Sequence, residues 1–208
     1  MELVDIQDLK SWGSNAVPVQ LRPRVNAPLI DSHCHLDFPE FIGRENEFLA
    51  AMKSNGVKGA LIAGVTLERF PAMLALAESH PCLVAAVGVH PDTTEGADPE
   101  ETELVSFAVH PKVVAIGETG LDYYRLEGDL EWQRERFRRH VRAAKACNKP
   151  LIIHTREAAQ DTLRILEEEG QGQVRGVFHC FTENWGIAES ALALGFHISL
   201  SGIVTFKK

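Results

Sequence analysis

The chain has 208 residues, 45% hydrophobic and 24% charged, which suits one globular domain with a sizeable core. A net charge of −8 excludes a protein that binds nucleic acid or anionic lipid through a strongly basic surface. It leaves nucleic acid open as a substrate, because bound divalent cations supply local positive charge.

No apolar run reaches the roughly 18 residues of a membrane helix. Glu2, Asp5 and Asp8 do not make the cationic start of a signal peptide. Cys34, Cys82, Cys147 and Cys180 form no CxxC pair, so reduced thiols and a cytoplasmic setting are expected.

Residues 1–27 read as an N-terminal extension. Met1 to Trp12 suggests a short helix, and Gly13, Pro18, Pro23 and Pro28 then break regular structure. From residue 28 to 208 apolar β-rich runs alternate with amphipathic stretches. The predicted strands are Leu29 to His35, Gly59 to Val65, Leu83 to His90, Val113 to Glu118, Leu151 to His154, Val174 to His179 and Phe196 to Ile203. The predicted helices are Glu45 to Ser54, Phe70 to Ser79, Glu100 to Val109, Leu130 to Cys147, Glu157 to Glu169 and Ile187 to Leu194, with Gly56, Gly170 and Gly195 as stops. Near-continuous apolar strands point to a parallel sheet covered on both faces. Repeated βα units fit an α/β barrel or a doubly wound sheet.

The polar residues separate the two. His35, His90, Glu118, His154 and His179 each end a predicted strand. An open sheet gathers its site at one switch point, whereas a barrel brings every strand end to one mouth. The pattern therefore favours the barrel. His33 and His35 alternate onto one strand face. With Glu118, His154 and His179 they make a mixed imidazole and carboxylate set that suits a shared metal centre. Glu118 has two oxygens and can bridge two ions, His33 and His35 holding one, His154 and His179 the other. Two such ions stabilise the attacking and leaving oxygens of a hydrolysis and activate water near neutral pH.

His90, in Gly88-Val89-His90-Pro91, either ligates, donates to a substrate phosphate, or is a turn histidine. Arg156 suits a phosphate oxygen or an ion pair with Glu157. Asp122 reads first as a cap, with a role beside the metal as the alternative. Tyr123 and Tyr124 either stack on a base or cover the loop. Arg134, Arg136, Arg138, Arg139, Arg142 and Lys145 read as the solvated side of one helix. Cys34 and Cys180 alternate away from the ligand face.

In order, Ile30-Asp31-Ser32-His33-Cys34-His35-Leu36, Gly88-Val89-His90-Pro91, Ile116-Gly117-Glu118-Thr119-Gly120-Leu121-Asp122-Tyr123-Tyr124, Leu151-Ile152-Ile153-His154-Thr155-Arg156, Val177-Phe178-His179-Cys180-Phe181 and Ser201 to Lys207 resemble the TatD-like metal-dependent deoxyribonucleases, a branch of the amidohydrolase-like barrels. The resemblance implies a TIM-type (β/α)8 barrel with divalent ions (Mg, Mn or Zn). It implies His33, His35, Glu118, His154 and His179 as ligands, Glu118 and His90 as catalytic groups, and His90 with Arg156 at the substrate phosphate. It also implies 3′→5′ exonuclease action on single-stranded DNA, with RNA as a second substrate. The family pattern continues into an eighth strand carrying an Asp ligand, which this sequence lacks, so seven strands of eight are expected. Two other readings follow. One is an amidase or ester hydrolase, such as a lactonase or aminoacyl-tRNA deacylase. The other is a metal-binding remnant without turnover. Related dinuclear barrels often bridge their ions with a carboxylated lysine on the fourth strand, and Glu118 at that place favours the nuclease.

Overall fold

A computed structural model describes residues 3–5, 28–94 and 96–206. The elements run β1 (Leu3–Asp5), β2 (Leu29–Cys34), α1 (Glu45–Ser54), β3 (Val57–Ile62), α2 (Phe70–Ser79), β4 (Leu83–Val87), α3 (Glu101–Ala108), β5 (Val113–Asp122), α4 (Glu131–Cys147), β6 (Leu151–Arg156), α5 (Ala159–Gly170), β7 (Gly176–Phe178), α6 (Trp185–Ala193) and β8 (His197–Ile198). All strands are parallel and lie in one sheet in sequence order, β1 to β8. The sheet curls strongly. The ring of His33, from β2, stacks on that of His179, just beyond β7, with centroids 3.5 Å apart and planes 12° apart. Strands five places apart in order meet across an interior only in a barrel-like wall. The fold is TIM-type, as the strand ends suggested.

Three expectations are corrected. Leu3–Asp5, inside the predicted N-terminal helix, is a strand paired with β2, Asp5 lying opposite His33 in register. The rest of that predicted helix lies outside the described residues. The seventh predicted strand is cut to two residues, and Gly202–Thr205 forms a 3-10 turn. Among the described residues β8 is the last strand in the sheet order. Gly170 is the last residue of α5 rather than its stop, and Gln171 takes the left-handed conformation instead, at φ 51°.

Alternation along the strands splits the core in two. Ile62, Leu83, Val87, Ile116, Leu151, Ile153 and Phe178 point outward and meet Met73, Leu104, Phe137, Val141 and Leu166 from the helices. Each such side chain contributes roughly 1.5–3 kcal/mol on burial. On the inner face Ala86, Ala115 and Ile152 pack with Leu61 and Val177, forming a floor beneath the histidines. Cys34 packs toward the outer cluster, away from His33. At the opposite end, lysines tie successive units together. Lys112 Nζ donates to the carbonyls of His80 and Leu83 at 3.0 and 2.8 Å, and Lys149 Nζ to those of Ala108 and Val113. Among the described residues no helix is long and apolar enough to cross a membrane.

Helix α4 departs from the solvated reading in part. Arg134, Arg138, Arg139 and Arg142 pair with acidic side chains near the surface. Arg136 is only 6% exposed and turns inward with Gln133 and His140. The His140 imidazole is fully buried. Its Nε2 accepts the Val89 N–H at 3.0 Å, and its Nδ1 donates to the Arg136 carbonyl at 2.8 Å. Burial drives its pKa from 6.5 down to about 4, against the opposing pull of the Arg136 carbonyl. The folded protein therefore holds His140 neutral where the unfolded chain protonates. The stability this contributes is complete above about pH 6.5 and is lost as pH falls toward about 4, amounting to about 3 kcal/mol. Urea unfolding at pH 7 and pH 4 should show wild type losing about that much more than His140→Gln. Equal losses in the two proteins would refute the assignment.

Candidate metal centre

Glu118 is the middle of the site. It is 2% exposed, and its two carboxylate oxygens face different partners. Oε2 lies 3.2 Å from His33 Nε2 and 3.7 Å from His35 Nε2. Oε1 lies 3.4 Å from His154 Nδ1 and 3.6 Å from His90 Nε2. His33, His35 and Glu118 thus form one cluster of potential ligand atoms, and His90, Glu118 and His154 a second, each within 4.8 Å.

Three glycines bring the carboxylate there. The Glu118 N–H donates to the Gly64 carbonyl at 2.9 Å, and the Gly64 N–H to the Gly117 carbonyl at 3.1 Å. A Cβ on Gly88 would sit 2.7 Å from Gly117 Cα, and one on Gly64 would sit 2.9 Å from the Gly88 nitrogen. The backbone just past β3 and β4 therefore touches the middle of β5 directly beside Glu118, an approach only glycine allows.

The histidines are held in different ways. His33 and His35 come from strand alternation, and the His33 N–H donates to Asp31 Oδ1 at 3.1 Å. His154 Nε2 donates to Asp122 Oδ2 at 2.8 Å, which leaves Nδ1 toward Glu118. Asp122 also accepts the Tyr124 N–H at 2.9 Å, so it both caps its turn and orients a histidine. His90 lies beyond the end of β4, with Asp92 against its Nδ1 and His154 Nδ1 3.3 Å from its Nε2. His179 follows β7 beside His154, its N–H donating to the Ile153 carbonyl at 2.8 Å, and its ring stacks on that of His33; the His90 ring packs edge-on against His154.

Electrostatics follow from this crowding. Burial favours the neutral form of Glu118, but His33, His90 and His154 outweigh it and hold the carboxyl well below its usual range. Burial, then the neighbouring His33, lowers His35 to about 3, so its nitrogens carry no proton charge at neutral pH. Burial also works against a charged His154, yet its bonds to Asp122 and Glu118 prevail and raise it to about 9. An ionised carboxylate ringed by imidazoles is a donor set that fits a divalent cation, which would displace the proton that the metal-free site holds on His154.

On the rim, the Arg156 guanidinium lies 3.6 Å over the Tyr124 ring, with Arg125 also over that ring at 4.8 Å. Tyr123 does not reach the mouth. Its hydroxyl donates to Asp161 Oδ2 at 2.7 Å and accepts from Arg134 at 3.4 Å, covering the loop. Across the site Phe38 stacks on His35 at 4.5 Å, and Arg69 lies over Phe38 at 4.7 Å. Sequence reasoning passed over Asp92, Gln133 and His140 and read Arg136 as solvated. Gln133, Arg136 and His140 form a polar i, i+3, i+7 row on the apolar face of α4, a pattern visible in the sequence.

The family model for TatD related DNase matches residues 30–208. The chain belongs to the TatD family. Its curated relatives include the uncharacterized metal-dependent hydrolase YcfH of Escherichia coli, 42% identical over 183 residues, covering 86% of this chain and 68% of YcfH. YabD of Bacillus subtilis, similarly described, is 34% identical over 180 residues, covering 86% and 71% of the two chains. Among solved structures, YjjV, a TatD homologue from Escherichia coli, superposes with a TM-score of 0.78 at 32% identity, covering 88% of this chain and 71% of that one. This TatD-family chain is a metal-dependent hydrolase, and its His and Glu cluster is compatible with divalent metal.

The glycine contact is testable. Gly88→Ala forces Gly117 and Glu118 to shift, so it should lower stability by about 1–3 kcal/mol and weaken Mn2+ binding. Thermal denaturation and a Mn2+ titration of the same sample measure both. Wild-type values in both would show that the close approach does not set the site.

Proposed function

We propose that this TatD-family hydrolase cleaves phosphodiester bonds as a 3′→5′ exodeoxyribonuclease on single-stranded DNA, with RNA as a second substrate, using two divalent ions. The observation that carries the reading is Glu118, whose two oxygens face two separate histidine pairs. One carboxylate shared by two adjacent donor clusters suits a two-ion phosphoryl site. His33, His35 and Glu118 would hold one ion, with His179 on the same side. His90, Glu118 and His154 would hold the other. Two bound ions supply stabilisation of the attacking and leaving oxygens. Imidazole donors suit zinc or manganese, and carboxylate with phosphate suits magnesium or manganese.

The chain's own groups do the rest. Asp122 keeps the proton of His154 on Nε2, so Nδ1 stays turned to Glu118. Asp92 anchors His90 Nδ1, aiming Nε2 at the centre, where it serves a ligand or a phosphate oxygen. Arg156 offers a charged fork at the mouth for the phosphate. Tyr124, already under that guanidinium, offers a ring on which a terminal base stacks. Four cysteines without a CxxC pair support a reducing, cytoplasmic setting.

Glu118→Gln should abolish Mn2+-dependent shortening of a 3′-ended single-stranded oligonucleotide; unchanged turnover would remove Glu118 from the mechanism. Tyr124→Ala separates nucleic acid from other substrates. Loss of a stacked base costs about 1–3 kcal/mol, so KM for the oligonucleotide should rise roughly 5- to 150-fold. KM for bis-p-nitrophenyl phosphate should stay put. An enzyme that instead turns over esters or lactones, and no oligonucleotide, would belong to the carbon-centred hydrolases.

A further inference from the structure

His90 lies just past β4 and Asp122 at the very end of β5, and α4 adds side-chain contacts to both. Strand β4 ends at Val87, three residues before His90, and Asp122 is the last residue of β5. Both segments converge on one buried side chain of α4. Gln133 is 0% exposed. Its Oε1 accepts the Asp122 N–H at 2.8 Å. Its Nε2 donates to the carbonyl of Pro91 at 3.0 Å and to that of Asp122 at 3.1 Å. The partners dictate this orientation, since an N–H needs the oxygen and two carbonyls need the two amide hydrogens.

Two neighbours on the same helix face complete the hold on the His90 loop. Arg136 Nη1 donates to the carbonyls of His90 and Thr93 at 3.2 and 2.7 Å, and its Nε donates to Asp98 Oδ1 at 2.5 Å. His140 accepts the Val89 N–H. The backbone of Val89, His90, Pro91 and Thr93 is thus bound by side chains of α4, in addition to the 2.9 Å bond from the His90 N–H to the Val65 carbonyl beyond β3. Gln133 differs from the other two in reaching both segments, and Asp122 passes the constraint to His154 through its 2.8 Å bond.

We propose that Gln133 is a positioning residue of the metal centre, its carboxamide setting His90 and His154 relative to each other across Glu118. The proposal rests on the reading of His90, Glu118 and His154 as one half of that centre. No other residue type supplies one acceptor and two donors in this shape. Leucine fills similar volume and leaves three backbone groups unsatisfied. Glutamate keeps the acceptor for Asp122 and loses the amide donors to Pro91.

The test uses the whole chain, 15N-labelled and metal-free, at one fixed pH, with imidazole nitrogen resonances as the readout. In Gln133→Leu the His90 and His154 signals should move while those of His33 and His35 stay. In Gln133→Glu, His90 should move more than His154. Mn2+ titrated alone at 10 °C, where circular dichroism shows each variant folded, should bind roughly 10- to 100-fold more weakly to Gln133→Leu. Stationary His90 and His154 signals, or equal movement of all four histidines, would overturn the proposal, as would wild-type Mn2+ affinity in Gln133→Leu. The imidazole readout needs neither turnover nor metal. Failure of the nuclease reading would appear instead as wild-type inactivity on the oligonucleotide.

Discussion

One buried carboxylate governs this structure. Removing the Glu118 carboxylate from water costs several kcal/mol unless charge and hydrogen bonds compensate. Four imidazoles surround it, and burial holds at least one of them, His35, neutral. Such a set satisfies the carboxylate in part and presents lone pairs to whatever sits between the rings. A divalent cation completes that balance. The arrangement also requires parallel strands, because only they deliver the ends of β2, β5 and β6 to the same mouth.

Charge alone does not bring the carboxylate to its place. Gly64, Gly88 and Gly117 let three backbone segments meet without side chains between them. Larger residues would push β4 from β5 and carry Glu118 out from between the histidine pairs. The interior floor works the same way. Ala86 and Ala115 are small on the inner face, and Ile152 packs with them. Steric economy under the site and polar crowding within it are two parts of one solution.

Strand rhythm and the ligand-bearing strand ends were legible in the sequence because each depends on local periodicity. Strands β2 to β7 and helices α1 to α6 fall close to their predicted spans. The HxH face followed from alternation, and the convergence of His35, Glu118 and His154 from their common place at strand ends. What escaped depends on long-range contact. A strand at Leu3–Asp5 exists through β2, which offers a free edge, and nothing in those three residues announces it. The contact of His154 with His90, and the stacking of His179 on His33, depend on how far the wall curls. The arginine-rich helix hid its buried members because Arg136 has the composition of its solvated neighbours and differs only in facing.

The two halves of the centre are built on different principles, and this bears on their roles. His33 and His35 are fixed by strand alternation in β2, with Asp31 and the stacked His179 behind them. Their geometry is as rigid as the sheet. His90 sits on a connecting segment and depends on side chains reaching across from α4, while His154 is turned by Asp122 at the start of a loop. The groups best placed for substrate, Arg156 and Tyr124, lie on this second side. Binding residues commonly sit on loops that a rigid scaffold positions. Here the buried polar row of α4 adds side-chain anchors to the segment that carries His90, beyond its own bond to the Val65 carbonyl. His33, Glu118 and His154, all inside strands, then serve as the fixed reference against which that position is set.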